Sequence, residues 1–313
     1  MRIFRHTRDV PDGVRGAVVA LGNFDGVHRG HQALIGHARA LAEERGAPLG
    51  VVVFEPDPQE YFRPAAESAR LTPFRVKARL IAEQGADALF ALHFDAAMAT
   101  MSAQDFVLDV LVAGLGVGCV VAGADFRFGK DRAGDVTVLS YMGEMEGFHV
   151  AVFDPVLAGG EKISATHIRA ALRAGRPREA AKLLGHFWAV EGRVEHGDKR
   201  GRTIGVPTAN MRLADCLHPA FGVYAARATL YEDDRAVLTR DAVANFGIRP
   251  MFQTKVPLLE TWLFDFDADL YGKHLAVELV DYLRGEEKFD SLDALKAQIA
   301  IDSDNARKVL RQI

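Results

Sequence analysis

Ala17-Val18-Val19-Ala20-Leu21-Gly22-Asn23-Phe24-Asp25-Gly26-Val27-His28-Arg29-Gly30-His31-Gln32 passes from a continuous apolar block, through a glycine-punctuated turn, into a helical pattern. Apolar residues in an unbroken run suit a strand buried on both faces. From about Gly30 to Arg45, Leu34, Ile35, Ala38, Leu41 and Ala42 recur at helical spacing. Strand, tight turn and helix in that order form the opening unit of a parallel α/β sheet.

The unit repeats. Residues 49–54 are a second buried strand. Pro73 starts a helix carrying Val76, Leu80 and Ile81. Residues 88–92 are a third strand, and a helix over about 102–113 precedes a fourth at 117–122. Residues 149–153 are a fifth. The expected fold is a Rossmann-like parallel sheet with helices on both faces, whose ligands bind beyond the carboxyl ends of the strands. Four motifs fall at those ends. They are Gly22 to His31, Phe54-Glu55-Pro56-Asp57-Pro58, Gly123-Ala124-Asp125-Phe126-Arg127-Phe128-Gly129, and Ile163-Ser164-Ala165-Thr166-His167-Ile168-Arg169.

His28 and His31 share one face at a helix start. Free backbone amides there favour an anion, and imidazoles add donors that can be cationic near neutral pH. Together they could hold a triphosphate and stabilise charge on a departing pyrophosphate. Ser164, Thr166 and Arg169 would add hydroxyl and guanidinium contacts. The same spacing also fits plain surface residues or a metal pair, Asp125 also fits a turn cap, and Asp57 between prolines fits a turn.

After residues 173–177, where one helix ends and another begins, and a short apolar helix over 180–184, the pattern changes. Short strands follow at 188–194, 223–230, 242–246, 258–264 and 275–283. They predict a small antiparallel β-barrel. A terminal helix over about 291–310 is capped by Asp290 or Ser291, with Leu292, Leu295, Ile299 and Ala306 facing the barrel. The domains are expected at 1–185 and 186–313. Between strands lies His196-Gly197-Asp198-Lys199-Arg200-Gly201-Arg202-Thr203-Ile204-Gly205-Val206-Pro207-Thr208-Ala209-Asn210. Its glycines permit close backbone approach, and cations lie among them. The spacing is not that of a Walker A loop. Thr208 and Asn210, on one strand face, offer two neutral oxygens that suit Mg2+ completed by water and nucleotide phosphate. A basic hairpin with a Gly-Pro turn is the plainer alternative.

The chain of 313 residues is long enough for about two domains. With 38 basic against 42 acidic residues and a net charge of -4, it is not built to coat duplex nucleic acid. Cys119 and Cys216 have no CxxC partner, which argues against a disulfide framework or zinc site. No apolar signal region follows the first residues, and the longest apolar run, 110–124, is glycine-broken and shorter than the roughly 20 residues of a spanning helix. A soluble cytoplasmic protein without nucleic-acid or membrane partners is expected. Weak self-association into a homo-oligomer is compatible with the sequence.

Gly22 to Gln32 resembles the HxGH signature of nucleotidyltransferases. Together with residues 123–129 it is similar to the FMN adenylyltransferase module of bacterial riboflavin biosynthesis proteins. The resemblance implies that His28 and His31 contact ATP phosphates, with Gly22, Phe24, Asp25, Gly30, Ser164, Thr166 and Arg169 in the same site. It implies that Asp125, Phe126 and Arg127 shape a flavin and nucleotide turn. Two positions depart from the pattern: Asp57 stands where a histidine is usual, and Ala165 where a second serine is usual. The second half resembles the riboflavin kinase module. There Gly197, Lys199, Gly201, Thr203 and Gly205 would bind ATP, Thr208 and Asn210 would hold Mg2+, and Glu260 would be the catalytic base. Met251 and Trp262 replace a usual threonine and histidine. The implied protein is a bifunctional riboflavin kinase and FAD synthetase taking riboflavin, FMN and ATP. Its rivals are a kinase with an impaired first half and a non-catalytic flavin-binding protein.

Overall fold

The structure, a computed structural model, describes residues 1–62, 70–196, 205–213, 216–233, 235–248 and 257–313. Its contacts separate two compact units. One comprises the described residues up to Ser164, apart from Arg70 and Leu71; the other comprises those two with the described residues from Ala165 to Ile313.

The first unit carries β1 (Arg2–Phe4), β2 (Val18–Leu21), β3 (Leu49–Glu55), β4 (Ala88–His93), β5 (Cys119–Gly123) and β6 (His149–Phe153) in one sheet of order β1-β4-β3-β2-β5-β6. Every pairing in it is parallel. Its helices are α1 (Arg29–Arg45), α2 (Pro58–Phe62), α3 (Phe74–Glu83), α4 (Ala96–Thr100), α5 (Ala103–Asp105, continued by a π-helical turn set, Phe106–Leu115) and α6 (Val136–Glu146). A small hairpin joins β7 (Leu157–Ala158) to β8 (Glu161–Lys162).

Alternate residues of the central strands enter opposite cores, which is why those strands read as unbroken apolar runs. Val18, Ala20, Val51 and Val53 meet Leu34, Ile35 and Ala38 of α1 and Ile81 of α3. Val19, Leu21, Val52 and Phe54 meet Phe106, Val107 and Leu111 of the π-helical stretch and Leu139 of α6. The chain steps from β2 to β3 and β4 on one side, then returns to place β5 on the other side of β2. That reversal opens a crevice at the carboxyl ends of β2 and β5, where such sheets bind ligands.

The second unit begins with α7 (Ala165–Arg173) and α8 (Pro177–Leu184), whose Ile168, Leu172, Ala180 and Leu184 pack with the barrel interior. The barrel strands are β9 (Ala189–Arg193), β10 (Ala209–Arg212), β11 (Gly222–Glu232), β12 (Arg235–Gly247), β13 (Leu258–Leu263) and β14 (His274–Arg284), ordered β10-β13-β12-β11-β14-β9. Glu195 bridges to Asn210 between the two end strands, so the antiparallel sheet nearly closes. Met211, Tyr224, Ala244, Leu259 and Leu263 point inward. Val223, Ala225, Val243 and Trp262 point outward, under the C-terminal helix α9 (Leu292–Leu310).

Several expectations are adjusted. β1 and α6 were not anticipated, and the fourth predicted strand starts at Cys119. Ser291, not Asp290, caps α9 by accepting the Ala294 N–H. Leu292 does not face the barrel: it is 54% exposed, and the buried stripe runs through Asp302, Ser303, Ala306 and Leu310. The first turns of α9 lie beyond the outer face that the later turns cover.

Candidate functional site

The Gly22–His31 turn leaves β2 through a run of left-handed residues. Phe24, Gly26 and Val27 have φ of 52°, 77° and 40°. Phe24 and above all the β-branched Val27 are costly there, so surrounding bonds must hold the loop. Thr72 supplies them. Its hydroxyl accepts from Gly26 N at 3.0 Å and donates to Asp25 Oδ1 at 3.2 Å, while its backbone N–H donates to the same Oδ1 at 3.0 Å. Asp25 is buried, so its carboxylate is one of the groups that fix this loop.

His28 is the N-cap of α1: its Nδ1 accepts the His31 N–H at 3.2 Å. That bond uses Nδ1 as the acceptor and leaves Nε2 as the ring's outward donor. The ring lies back over Gly30, where an added Cβ would stand 3.1 Å from it. The glycine of the motif thus makes room for the imidazole. The His31 ring stacks on that of His28 at 3.6 Å and leans on Phe24 at 5.0 Å. Burial, then repulsion from His28, Lys77 and Lys162, pushes His31 well below the usual imidazole range. The expectation of a cationic pair near neutral pH is corrected for His31, which is neutral there. Among the described residues its buried Nδ1 has no hydrogen-bond partner.

Around these rings stand groups that the sequence motifs did not single out. Lys77 of α3 is 1% exposed, and its Nζ binds Glu55 Oε1 at 2.9 Å. Its signal was a lysine among the apolar residues of a helix face. Lys162 of β8 pairs with Asp125 and holds that carboxyl below its usual range. Asp57 caps α2, accepting Gln59 N–H at 2.8 Å, and burial pushes its pKa up. Phe126 stacks on Phe128 at 5.6 Å. Arg127 binds Asp135, the cap of α6, at 2.6 Å. Ser164 closes the first unit, next to Ile163, whose carbonyl would stand 3.8 Å from a Cβ at Gly30. Thr166 and Arg169 lie on α7, in the second unit.

In the barrel, antiparallel register places Glu260 directly opposite Asn210 on one side and Asn245 on the other. Alternation sends Leu259 and Leu263 inward, so Glu260 stands on the outer face with Trp262. Asn210 is 5% exposed, and its Nδ2 donates to the Thr208 carbonyl at 3.4 Å. One place beyond Asn245 on the same row are Val223 and then Arg284. Arg284 binds both carboxylate oxygens of the buried Asp302 through Nε, at 3.0 and 3.1 Å. Gly205 is exposed with φ 79°; Gly197, Lys199, Gly201, Thr203 and Met251 lie outside the described residues. Among the described residues no cluster of three or more His, Cys, Asp or Glu could cage a metal, and no helix is long and apolar enough to cross a membrane.

Residues 11–167 match the family model of FAD synthetase and residues 184–310 that of riboflavin kinase. The chain belongs to the bifunctional riboflavin kinase/FMN adenylyltransferase family. The family member of that name from Escherichia coli (strain K12) is 43% identical over 293 residues, covering 94% of this chain and 92% of the relative. The one from Pseudomonas fluorescens is 40% identical over 308 residues, covering 98% and 97%. A crystal structure of a macrolide-efflux protein from Streptococcus pneumoniae shares the fold with a TM-score of 0.85 at 31% identity, over 97% of this chain and 98% of that one.

Proposed function

We propose that the two activities of this family are divided between the two sites just described. The enzyme phosphorylates riboflavin to FMN with ATP, then adenylylates FMN to FAD with release of pyrophosphate. The carrying observation is that both family models match in one chain, that of FAD synthetase over residues 11–167 with His28 and His31, and that of riboflavin kinase over residues 184–310 with Thr208, Asn210 and Glu260.

For adenylyl transfer, ATP phosphates would lie at the start of α1. The amide donors of the first turn, the Nε2–H of His28 and the imidazole of His31 would stabilise charge passing to pyrophosphate. No covalent nucleophile is needed, because FMN phosphate attacks the α-phosphorus once held in line. Ser164 would contribute a phosphate contact. Asp125 and Phe126 would border the flavin and nucleotide. Arg127, bound to Asp135, is better placed to hold the turn than to reach substrate.

For the kinase reaction, Glu260 would accept the proton of the terminal ribityl hydroxyl as its oxygen attacks the γ-phosphorus. The residues present fit Mg2+: Thr208 and Asn210 supply hard oxygen donors, too few for a protein-only cage and suited to an ion shared with phosphates. The ion would neutralise phosphate charge. Gly197, Lys199, Gly201, Thr203 and Gly205 would line the ATP phosphates. Functional bounds of 1–185 and 186–313, cytoplasmic location and independence from membrane belong to the same reading, as does independence from nucleic acid, which the near-balanced charge supports. Product analysis with each substrate supplied separately tests the division.

A further inference from the structure

The left-handed turn between β2 and α1 persists only where its surroundings over-determine it, because Val27, at φ 40°, is β-branched and stiff. The bonds that hold it come from two sides. On one side is Thr72, 3% exposed, whose hydroxyl accepts from Gly26 N and donates to Asp25 Oδ1. On the other is Gln32, in the first turn of α1. Its Nε2 reaches back and donates to the Val27 carbonyl at 2.8 Å, while its backbone N–H donates to the His28 carbonyl at 2.9 Å.

These partners are two peptide groups of the turn. Thr72 fixes the one joining Asp25 to Gly26, and Gln32 fixes the one joining Val27 to His28. His28 departs directly from the second. Its ring caps α1 through the His31 N–H and carries the stacked ring of His31, so a rotation of that peptide moves both imidazoles together. A catalytic donor misplaced by an ångström loses much of its effect. We propose that Gln32 and Thr72 are positioning residues for adenylyl transfer, a two-sided clamp on the turn from Phe24 to Val27 that aims His28 and His31 while touching no substrate. Asp25, bound twice by Thr72, is the anchor of the clamp. This rests on the reading that the two histidines serve the ATP phosphates.

The test is steady-state FAD formation from supplied FMN by the full chain, with ATP and FMN varied separately. Gln32→Met and Thr72→Val keep the size of each side chain and remove its hydrogen-bonding groups. Each is expected to lower kcat about tenfold, the scale on which a small misplacement of catalytic groups acts. The KM values for ATP and FMN should stay within about twofold, because groups that act in the transition state alter kcat rather than KM. Thr72→Ser restores the hydroxyl and should return kcat close to the wild-type value. FMN formation from riboflavin should not change in any of the three. An unchanged kcat in Gln32→Met or in Thr72→Val, a raised ATP KM with kcat intact, or no recovery in Thr72→Ser would overturn the proposal. If one of the first two variants does not fold by thermal melting, the kcat of the other decides. His28→Ala, measured alongside, separates the clamp from the site it serves. Retained FAD formation there refutes the histidine reading, whatever Gln32 and Thr72 do.

Discussion

Glu260 and Asn210 face each other across β13 and β10, the strand pair next to the seam where Glu195 bridges back to Asn210. In the proposed reading this carboxylate and amide oxygen, which share the outer face of the barrel, serve γ-phosphoryl transfer.

Replacing Glu260 with Gln keeps the shape and removes the proposed base. FMN formation should fall by about 10²–10⁴-fold, the usual worth of a general base. FAD formation from supplied FMN should persist. Chromatographic rates from the two substrates check this; loss of both activities in a folded variant would refute the division of labour.

His28 caps α1 and, in the proposed mechanism, also serves adenylyl transfer; substitutions separate the two. His28→Ala removes the cap and should cost about 1 kcal/mol in denaturant unfolding. His28→Asn, an efficient cap, should recover that stability. Neither should recover FAD formation, expected to drop about 10²-fold with the loss of a preorganised donor. Recovery of full activity in the Asn variant would reduce His28 to a structural residue.

His31 carries a pH signature. Its folded-state pKa is depressed below 6.5, so the unfolded chain binds the extra proton first. Its contribution to stability is complete above about pH 6.5 and is lost as pH falls from there towards the folded-state value. Melting temperature against pH should fall through that window, and His31→Gln should flatten the fall. An identical profile in the variant would contradict the assignment.

Much of this was legible in the sequence because apolar runs and helical periodicity are properties of burial, and burial decides the sheet. β1 was missed because three half-exposed residues beside Arg5 and His6 carry no such pattern. The first half of β12 was missed because it is mostly exposed and its apolar residues, Ala236 to Leu238, do not alternate with polar ones, and only Ala242 to Gly247 return to the core. Within the site, His28 and His31 were readable from spacing. Thr72 and Lys162 were not, since each acts through a contact tens of residues away in sequence. The ionisation of His31 was misread because it depends on burial in the fold and on the charges of Lys77 and Lys162, distant in sequence, as well as on His28.

Asp57 tests whether the departure from the family pattern matters. Its carboxylate caps α2 and carries a raised pKa near Asp25. Asp57→Asn retains the cap and removes the negative charge. The ATP KM for FAD formation should fall, by up to about fivefold for one charge a few ångströms away in a wet site. Initial rates at varied ATP measure it, and an unchanged KM would place Asp57 outside the nucleotide's field.

The central claim is that one chain performs both steps. Purified protein incubated with riboflavin, ATP and Mg2+ and resolved by chromatography should yield FMN first and FAD after it. FMN without FAD, or neither product from a folded protein, would contradict it.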